Sequence, residues 1–193
     1  QAINDYDMIQ EGDKIAVGIS GGKDSLTLLY ALSGLQKFYP KPFKLVAITV
    51  DLGYPNFDLT DIRQLCNDLQ VDYHIISTKI GEMVTSEQLE GSACSLCARL
   101  RKGALNDAAK KFGCNKVAYG HHMDDVIETM MLSLIYEGRF CSFWPVTFLD
   151  KYNPEQFEIV GAMTTTKVDE YNYGYPYVNG VKIYARILIK KKK

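Results

Sequence analysis

Cysteine is scarce and uneven in number, with five residues among 193, at positions 66, 94, 97, 114 and 141. An odd count, with no secretory pattern opening the chain, argues against a disulfide framework and for a reducing, cytoplasmic setting. An excess of charge of either sign is also missing. Lys and Arg number 22 against 23 Asp and Glu, a net charge of −1, so the chain lacks the global basicity of a dedicated nucleic-acid binder. A local basic face remains possible. No apolar run approaches the ~18 residues of a membrane span, so no membrane contact is expected. Internal repeats are absent, and no long Gly/Ser- or Pro-rich linker divides the first 140 residues. One unit over residues 1–140, followed by an extension over 141–193, is the expected organisation.

What is present is an alternation of short β-rich runs with amphipathic segments. Strands are expected at Lys14–Ile19, Lys44–Val50, Tyr73–Ser77 and Lys116–Tyr119. Helices are expected at Ser25–Phe38, Leu59–Leu69, Arg99–Phe112 and Asp124–Tyr136, the last striped by Ile127, Met130, Met131 and Leu134. Such alternation implies an α/β fold, an open doubly wound parallel sheet joined by right-handed crossovers. Its ligands bind beyond the carboxyl ends of the strands. After Cys141 the text changes. Tyr152, Tyr171, Tyr173, Tyr175 and Tyr177 crowd an irregular, β-leaning tail, and Val178-Asn179-Gly180-Val181 reads as a two-residue hairpin turn.

The first strand runs into Ser20-Gly21-Gly22-Lys23-Asp24-Ser25, ahead of a helix. Paired glycines let backbone N–H groups converge, and the helix dipole adds its pull on an anion. The two serines offer hydroxyls and Lys23 a compact charge. The spacing is neither that of a Walker A loop nor that of the dinucleotide fingerprint. A carboxylate at Asp24 beside phosphates requires a cation between them, which points to Mg²⁺ with a nucleotide. A plain turn with Asp24 or Ser25 as helix cap is the alternative.

Asp51 closes the second strand beside that loop, where it could reach a ribose or simply cap the strand. The fourth strand ends in Gly120-His121-His122-Met123-Asp124-Asp125, with Glu128 and Thr129 following. Asp125-x-x-Glu128 could be a capping box. Yet two histidines and two aspartates on one rim exceed what capping requires: a carboxylate can hold Mg²⁺ on a phosphate, and an imidazole can stabilise charge developing there. His74 reads as a structural histidine. Cys94-Ser95-Leu96-Cys97 puts two thiols within reach of one metal, and Arg99, Arg101 and Lys102 follow at once. These cations would oppose the dipole of a helix starting there, so an external anion such as an RNA phosphate would compensate them. A solvated basic face is the alternative. Cys66 and Cys114 read as packing residues.

Taken with their order, these motifs resemble the PP-loop ATP pyrophosphatases, which cleave ATP between the α and β phosphates. The resemblance covers roughly Asp13 to Phe140. It implies a Rossmann-like sheet of the adenine nucleotide alpha hydrolase type. It also implies an ATP site built from Ser20 to Ser25, Val50, Asp51, Gly120, His121 and Asp125, with Asp24 and Asp124 on Mg²⁺. The run Cys-Ser-Leu-Cys-Ala-Arg-Leu-Arg-Lys-Gly further resembles the tRNA 2-thiocytidine synthetase branch. That implies ATP-dependent thiolation of a cytidine in the anticodon loop of tRNA, with Arg99, Arg101 and Lys102 on the RNA. Cys94 and Cys97 would hold an iron–sulfur cluster, of 4Fe-4S type. Asp24, His121, Asp125 and Cys97 would be the catalytic residues. A sulfur donor (a desulfurase or free sulfide) and a homodimer are the further partners expected. The branch's third cluster cysteine lies in a C-terminal segment that nothing after Cys141 resembles, leaving Cys141 or no residue of this chain for that place. Another PP-loop ligase, or a nucleotide-binding module with a structural zinc on Cys94 and Cys97, are the competing readings.

Overall fold

The computed structural model describes residues 2–54, 58–85 and 93–148, together with the backbone of residues 158–161, 177–178 and 181–182. After a short helix α1 (Ala2–Asp5), the chain alternates β1 (Lys14–Gly18), α2 (Lys23–Gln36), β2 (Lys44–Asp51), α3 (Thr60–Asp68), β3 (Asp72–Ser77), α4 (Ile80–Thr85), α5 (Ala93–Lys111), β4 (Lys116–Tyr119) and α6 (Met123–Glu137). Strands β5 (Val146–Phe148) and β6 (Glu158–Gly161) follow, and then a two-stranded pair, β7 (Tyr177–Val178) and β8 (Val181–Lys182).

The six-stranded sheet has the order β3-β2-β1-β4-β6-β5. The first five strands run parallel, with Ala16 opposite Val46 on one side and Val117 on the other, and β5 closes the edge antiparallel to β6. Leu45 to Val50 are buried without a break, because both faces of the sheet are covered. The alternation of a strand sorts these residues into two cores. Val17, Leu45 and Ala47 meet Leu28, Leu29 and Leu32 of α2 and Ile62 and Cys66 of α3. Ala16, Val46, Ile48 and Val50 meet Leu105, Ala108 and Ala109 of α5.

The chain proceeds from β1 outward through β2 to β3, then returns to the other side of β1 with β4. The order therefore reverses between β1 and β4, and a crevice opens at their carboxyl ends.

Three expectations need correction or placement. The helix expected from Arg99 begins at Ala93, so the cysteine pair lies inside α5, in its first two turns. The basic residues consequently sit beyond the first turn, and opposition to the helix dipole, which fades within that turn, does not explain them. The stripe of α6 forms at its expected spacing but is not buried: Ile127, Met131 and Leu134 are exposed by 44, 45 and 45%. The crowded tyrosines at 152, 171, 173 and 175 lie outside the described residues. β7 and β8 do pair, Val178 opposite Val181, while Asn179 and Gly180 between them also lie outside the described residues.

Candidate active site

The loop after β1 is closed by its own hydroxyls. Ser25, buried, accepts hydrogen bonds from the Ser20 N–H at 3.2 Å and donates to the Gly22 carbonyl at 2.9 Å. The Gly22 N–H donates to Ser20 Oγ at 3.3 Å, and the two serine oxygens lie 3.2 Å apart. Gly21 holds φ at +83°, a left-handed conformation that a side chain would strain. The curled loop delivers the chain into α2, whose first-turn N–H groups have no acceptor within the helix.

The segment after β4 meets this loop directly. A Cβ on Gly120 would stand 2.9 Å from the backbone carbon of Asp24 and from the Ser25 nitrogen. Only a glycine lets the two motifs touch. His121 follows, its ring stacked on Tyr119 at 5.7 Å and tilted against Phe143 at 4.8 Å. Burial, reinforced by the Lys102 charge, holds its pKa below the ordinary histidine range, so the imidazole is neutral near pH 7. His122 begins α6. Its N–H donates to Asp125 Oδ2 at 2.8 Å, so the box expected at Asp125 and Glu128 sits three residues earlier, at His122 and Asp125. Asp124 is left facing solvent, its side chain 74% exposed.

One cavity of about 640 Å³ gathers these parts, a size typical of small-molecule sites. The loop contributes Ser20, Gly22, Asp24 and Ser25, the end of β2 contributes Val50, Leu52 and Tyr54, and the end of β4 contributes Tyr119, Gly120 and His121. Arg99, Arg101 and Lys102 of α5 form the facing wall. Helix α5 packs closely over the end of β1: a Cβ on Gly18 would lie 2.6 Å from Leu105 Cδ2, a side-chain end that would have to turn aside.

A model of the PP-loop domain matches residues 1–142, nearly three quarters of the chain. The chain belongs to the PP-loop domain family. A second model, adenine-specific methyltransferase EcoRI, matches residues 125–192, the smaller part of the chain. Among curated relatives, the tRNA-cytidine(32) 2-sulfurtransferase of Geobacter sulfurreducens is 40% identical over 78% of this chain and 59% of its own. The enzyme of the same name from Pelobacter propionicus is 46% identical over 72% of this chain and 52% of its own. The chain thus spans between half and three fifths of these relatives' lengths. Among solved structures, the U34-tRNA thiolase NcsA from Methanococcus maripaludis, with its 4Fe-4S cluster, matches with a TM-score of 0.64 at 26% identity, over 81% of this chain and 54% of that one.

Within this PP-loop domain, the expected site residues separate into two groups. Ser20, Gly22, Asp24, Ser25, Val50, Gly120, His121, Arg99, Arg101 and Lys102 line the cavity together. Gly21, Lys23, Asp51, Asp124 and Asp125 are not among the residues that line it. The Lys23 ammonium is held by both oxygens of Asp24, at 2.8 and 3.0 Å, which raises the lysine pKa and lowers that of Asp24. The Asp51 carboxylate turns back to accept the Gly53 N–H at 2.9 Å. Cys94 is exposed, and Cys97, one turn later, packs partly against the α5 core. Sequence reasoning missed Gly18, Leu52, Tyr54, Tyr119 and Phe143. Of these, Gly18 alone left a signal, a glycine closing a strand.

Two absent groups meet different fates here. Mg²⁺ usually takes one or two carboxylates and fills its remaining positions with phosphate and water oxygens. Asp24 on the cavity wall, with 45% of its side chain accessible, suits that donor set, and the exposed Asp124 at the start of α6 is the second carboxylate available to it. An iron–sulfur cluster needs more cysteine ligands than Cys94 and Cys97. Among the described residues, no group of three or more His, Cys, Asp or Glu is placed to hold a metal.

Proposed function

We propose that this PP-loop domain uses ATP to activate the C2 oxygen of a cytidine in the tRNA anticodon loop for replacement by sulfur. One observation carries the reading: the phosphate loop, the strand-end histidine and the basic face of α5 share a single cavity, and the thiol pair lies on the same helix. Cys94 is seven residues from Arg101, about 10 Å along the helix axis at ~1.5 Å per residue.

In this reading Ser20 to Ser25 cradle the phosphates, and Val50 and Asp51 flank the adenosine. Mg²⁺ on Asp24 and Asp124 supplies neutralisation of phosphate charge. The cytidine oxygen attacks the α-phosphorus, the α–β phosphoanhydride bond breaks, and diphosphate leaves with the electron pair. His121, neutral, donates a hydrogen bond to an α-phosphate oxygen. Asp125 holds the turn that presents it. Hydrosulfide then bonds to C2 through its electron pair and loses its proton, and AMP departs with the former C2 oxygen. Sulfane sulfur supplied by a desulfurase enters the same step after a thiol reductant gives it two electrons and leaves as a disulfide. Adenylation turns a poor oxygen leaving group into a good one, which is why ATP is consumed. Arg99 and Arg101 contact RNA phosphates at the cavity mouth, and a loop base reaches in because single-stranded loops expose base edges. Cys94 and Cys97 serve sulfur delivery. As cluster ligands they form only part of a donor set, so no step here passes through a cluster. A homodimer in the cytoplasm is the working assembly of this reading.

Nucleoside mass spectrometry of total tRNA from cells with and without the gene tests it. Loss of 2-thiocytidine is expected, and an unchanged signal overturns the proposal. In the purified protein, Asp24→Ala abolishes diphosphate release, whereas Cys97→Ala spares it and stops sulfur transfer.

A further inference from the structure

The phosphate loop brings a cradle but no net positive charge. Lys23 is neutralised by Asp24, and it is Asp24, not Lys23, that lines the cavity. Left to the loop, a triphosphate would face a carboxylate. Positive charge enters from the opposite wall, on α5. At 3.6 residues per turn, Ala98, Arg101, Lys102 and Leu105 fall on one stripe, and Arg99 lies at its edge.

Within that stripe Lys102 is the cation with a defined seat. Its ammonium sits 5.3 Å from the centroid of the Tyr119 ring. The Tyr119 hydroxyl donates to the buried Asn106 Oδ1 at 2.8 Å, which fixes the ring from behind. The same ring stacks on His121, and Gly120 between the two touches the phosphate loop. Lys102 therefore stands beside the point where the two motifs meet. Lys102 is exposed and reaches solvent through the cavity, while the protein beside it partly withdraws the ammonium from water and lowers its pKa. Among the described residues no carboxylate pairs with it. An ammonium on a cavity wall with no carboxylate partner is free to pair with an anionic ligand there.

We propose that Lys102 is a ligand of the nucleotide's polyphosphate, positioned by Tyr119 and Asn106, and not a contact to RNA. This rests on the ATP half of the proposed function and is independent of the thiolation half. Phosphoanhydride oxygens are the matching chemistry: compact, strongly charged and able to sit between a cation and helix N–H groups.

The test measures binding to the full chain by calorimetry, with Mg²⁺ present, for diphosphate, α,β-methylene-ATP, adenosine and an anticodon stem-loop RNA. Lys102→Ala should weaken diphosphate and the ATP analogue by about tenfold or more, the size of a lost charged hydrogen bond. Adenosine and the stem-loop should bind as before. Lys102→Arg, which keeps a charge over the ring, should recover most of the loss and guards against a folding defect in the alanine variant. Tyr119→Leu should shift diphosphate binding in the same direction by a smaller factor. Loss of stem-loop affinity with diphosphate binding intact overturns the proposal, and so does an equal loss for both ligands. Because no turnover is involved, tRNA lacking 2-thiocytidine changes in cells would sink the thiolation reading and leave this one standing.

Discussion

Strands β1 and β4 carry polar residues at both ends, and the two ends treat them in opposite ways. At the amino ends, Asp13 and Lys116 form an ion pair at 3.2 Å with each side chain only 4% exposed. Asp13 also accepts the Gln10 N–H at 2.6 Å and the Asn115 amide at 2.7 Å, and Lys116 donates to the Met8 carbonyl at 3.0 Å. Charge is closed upon charge there, with protein partners on every side. At the carboxyl ends, Asp24 keeps 45% of its side chain accessible and Asp124 keeps 74%. Arg99, Arg101 and Lys102 share the cavity with Asp24 and form no ion pair among the described residues. Polar residues at a strand end do not make a site by themselves. The candidate site is the end where they stay accessible and where the cations of α5 have no ion-pair partner among the described residues.

That contrast predicts different responses to mutation at the two ends. Lys116→Ala should have the largest effect on stability, about 3–5 kcal/mol, since it strands a buried carboxylate. Urea unfolding measures it, and the remaining folded protein should bind α,β-methylene-ATP normally. A loss below 1 kcal/mol would mean that the amino end is not closed as described. Gly120→Ala should cost less stability, about 1–3 kcal/mol for overpacking, because its Cβ meets backbone. Its affinity for the ATP analogue should fall far more than that of Gly22→Ala, whose Cβ meets only Ser20 Oγ, at 3.4 Å. Equal binding by the two variants would dissolve the junction between the motifs.

Ser25→Ala should cost about 1 kcal/mol through the loop's lost hydrogen bonds and weaken diphosphate binding by loosening the curl. The smallest effect concerns pH. Burial depresses the folded-state pKa of His121, so the unfolded chain takes up that proton first. Its contribution to stability is complete above the ordinary histidine pKa and shrinks as pH falls through that range. The fall in urea midpoint between about pH 7.5 and about pH 5.5 should therefore be smaller in His121→Gln than in the parent. An unchanged fall would show that the ring is not withdrawn from water.

Much of this was legible in the chain. Strand and helix periods placed β1 to β4 and α2, α3 and α6 within a few residues. The motifs at Ser20–Ser25 and Gly120–Asp125 mark the two strand ends that line the cavity, because glycine pairs and acidic first turns are local requirements of backbone and dipole. Helix α5 starts at Ala93, six residues before the expected Arg99, with the cysteine pair inside its first two turns. Helix α6 teaches a different lesson when set beside α2. Both carry an apolar stripe at helical spacing, yet α2 buries Leu28, Leu29 and Leu32 while α6 buries none of its residues. Periodicity reports that a helix has an apolar face. It cannot report what that face meets.

The roles of Asp51, Asp125 and Lys23 were also beyond its reach. Each is a charged residue of a motif that reaches the cavity, yet none lines it, and each is occupied locally: Asp51 by Gly53, Asp125 by His122, Lys23 by Asp24.

The linear chain settled which segments are strands and helices and where a phosphate could be cradled, because those properties depend on neighbours a few positions apart. The folded molecule alone decided that Lys102, Tyr119 and Asp24 share one cavity, and hence that the positive charge on its wall comes from α5. The reason is topological. The reversal of strand order between β1 and β4 brings residues distant in the chain to one rim, and only a three-dimensional arrangement determines which charges cancel there and which remain for a ligand.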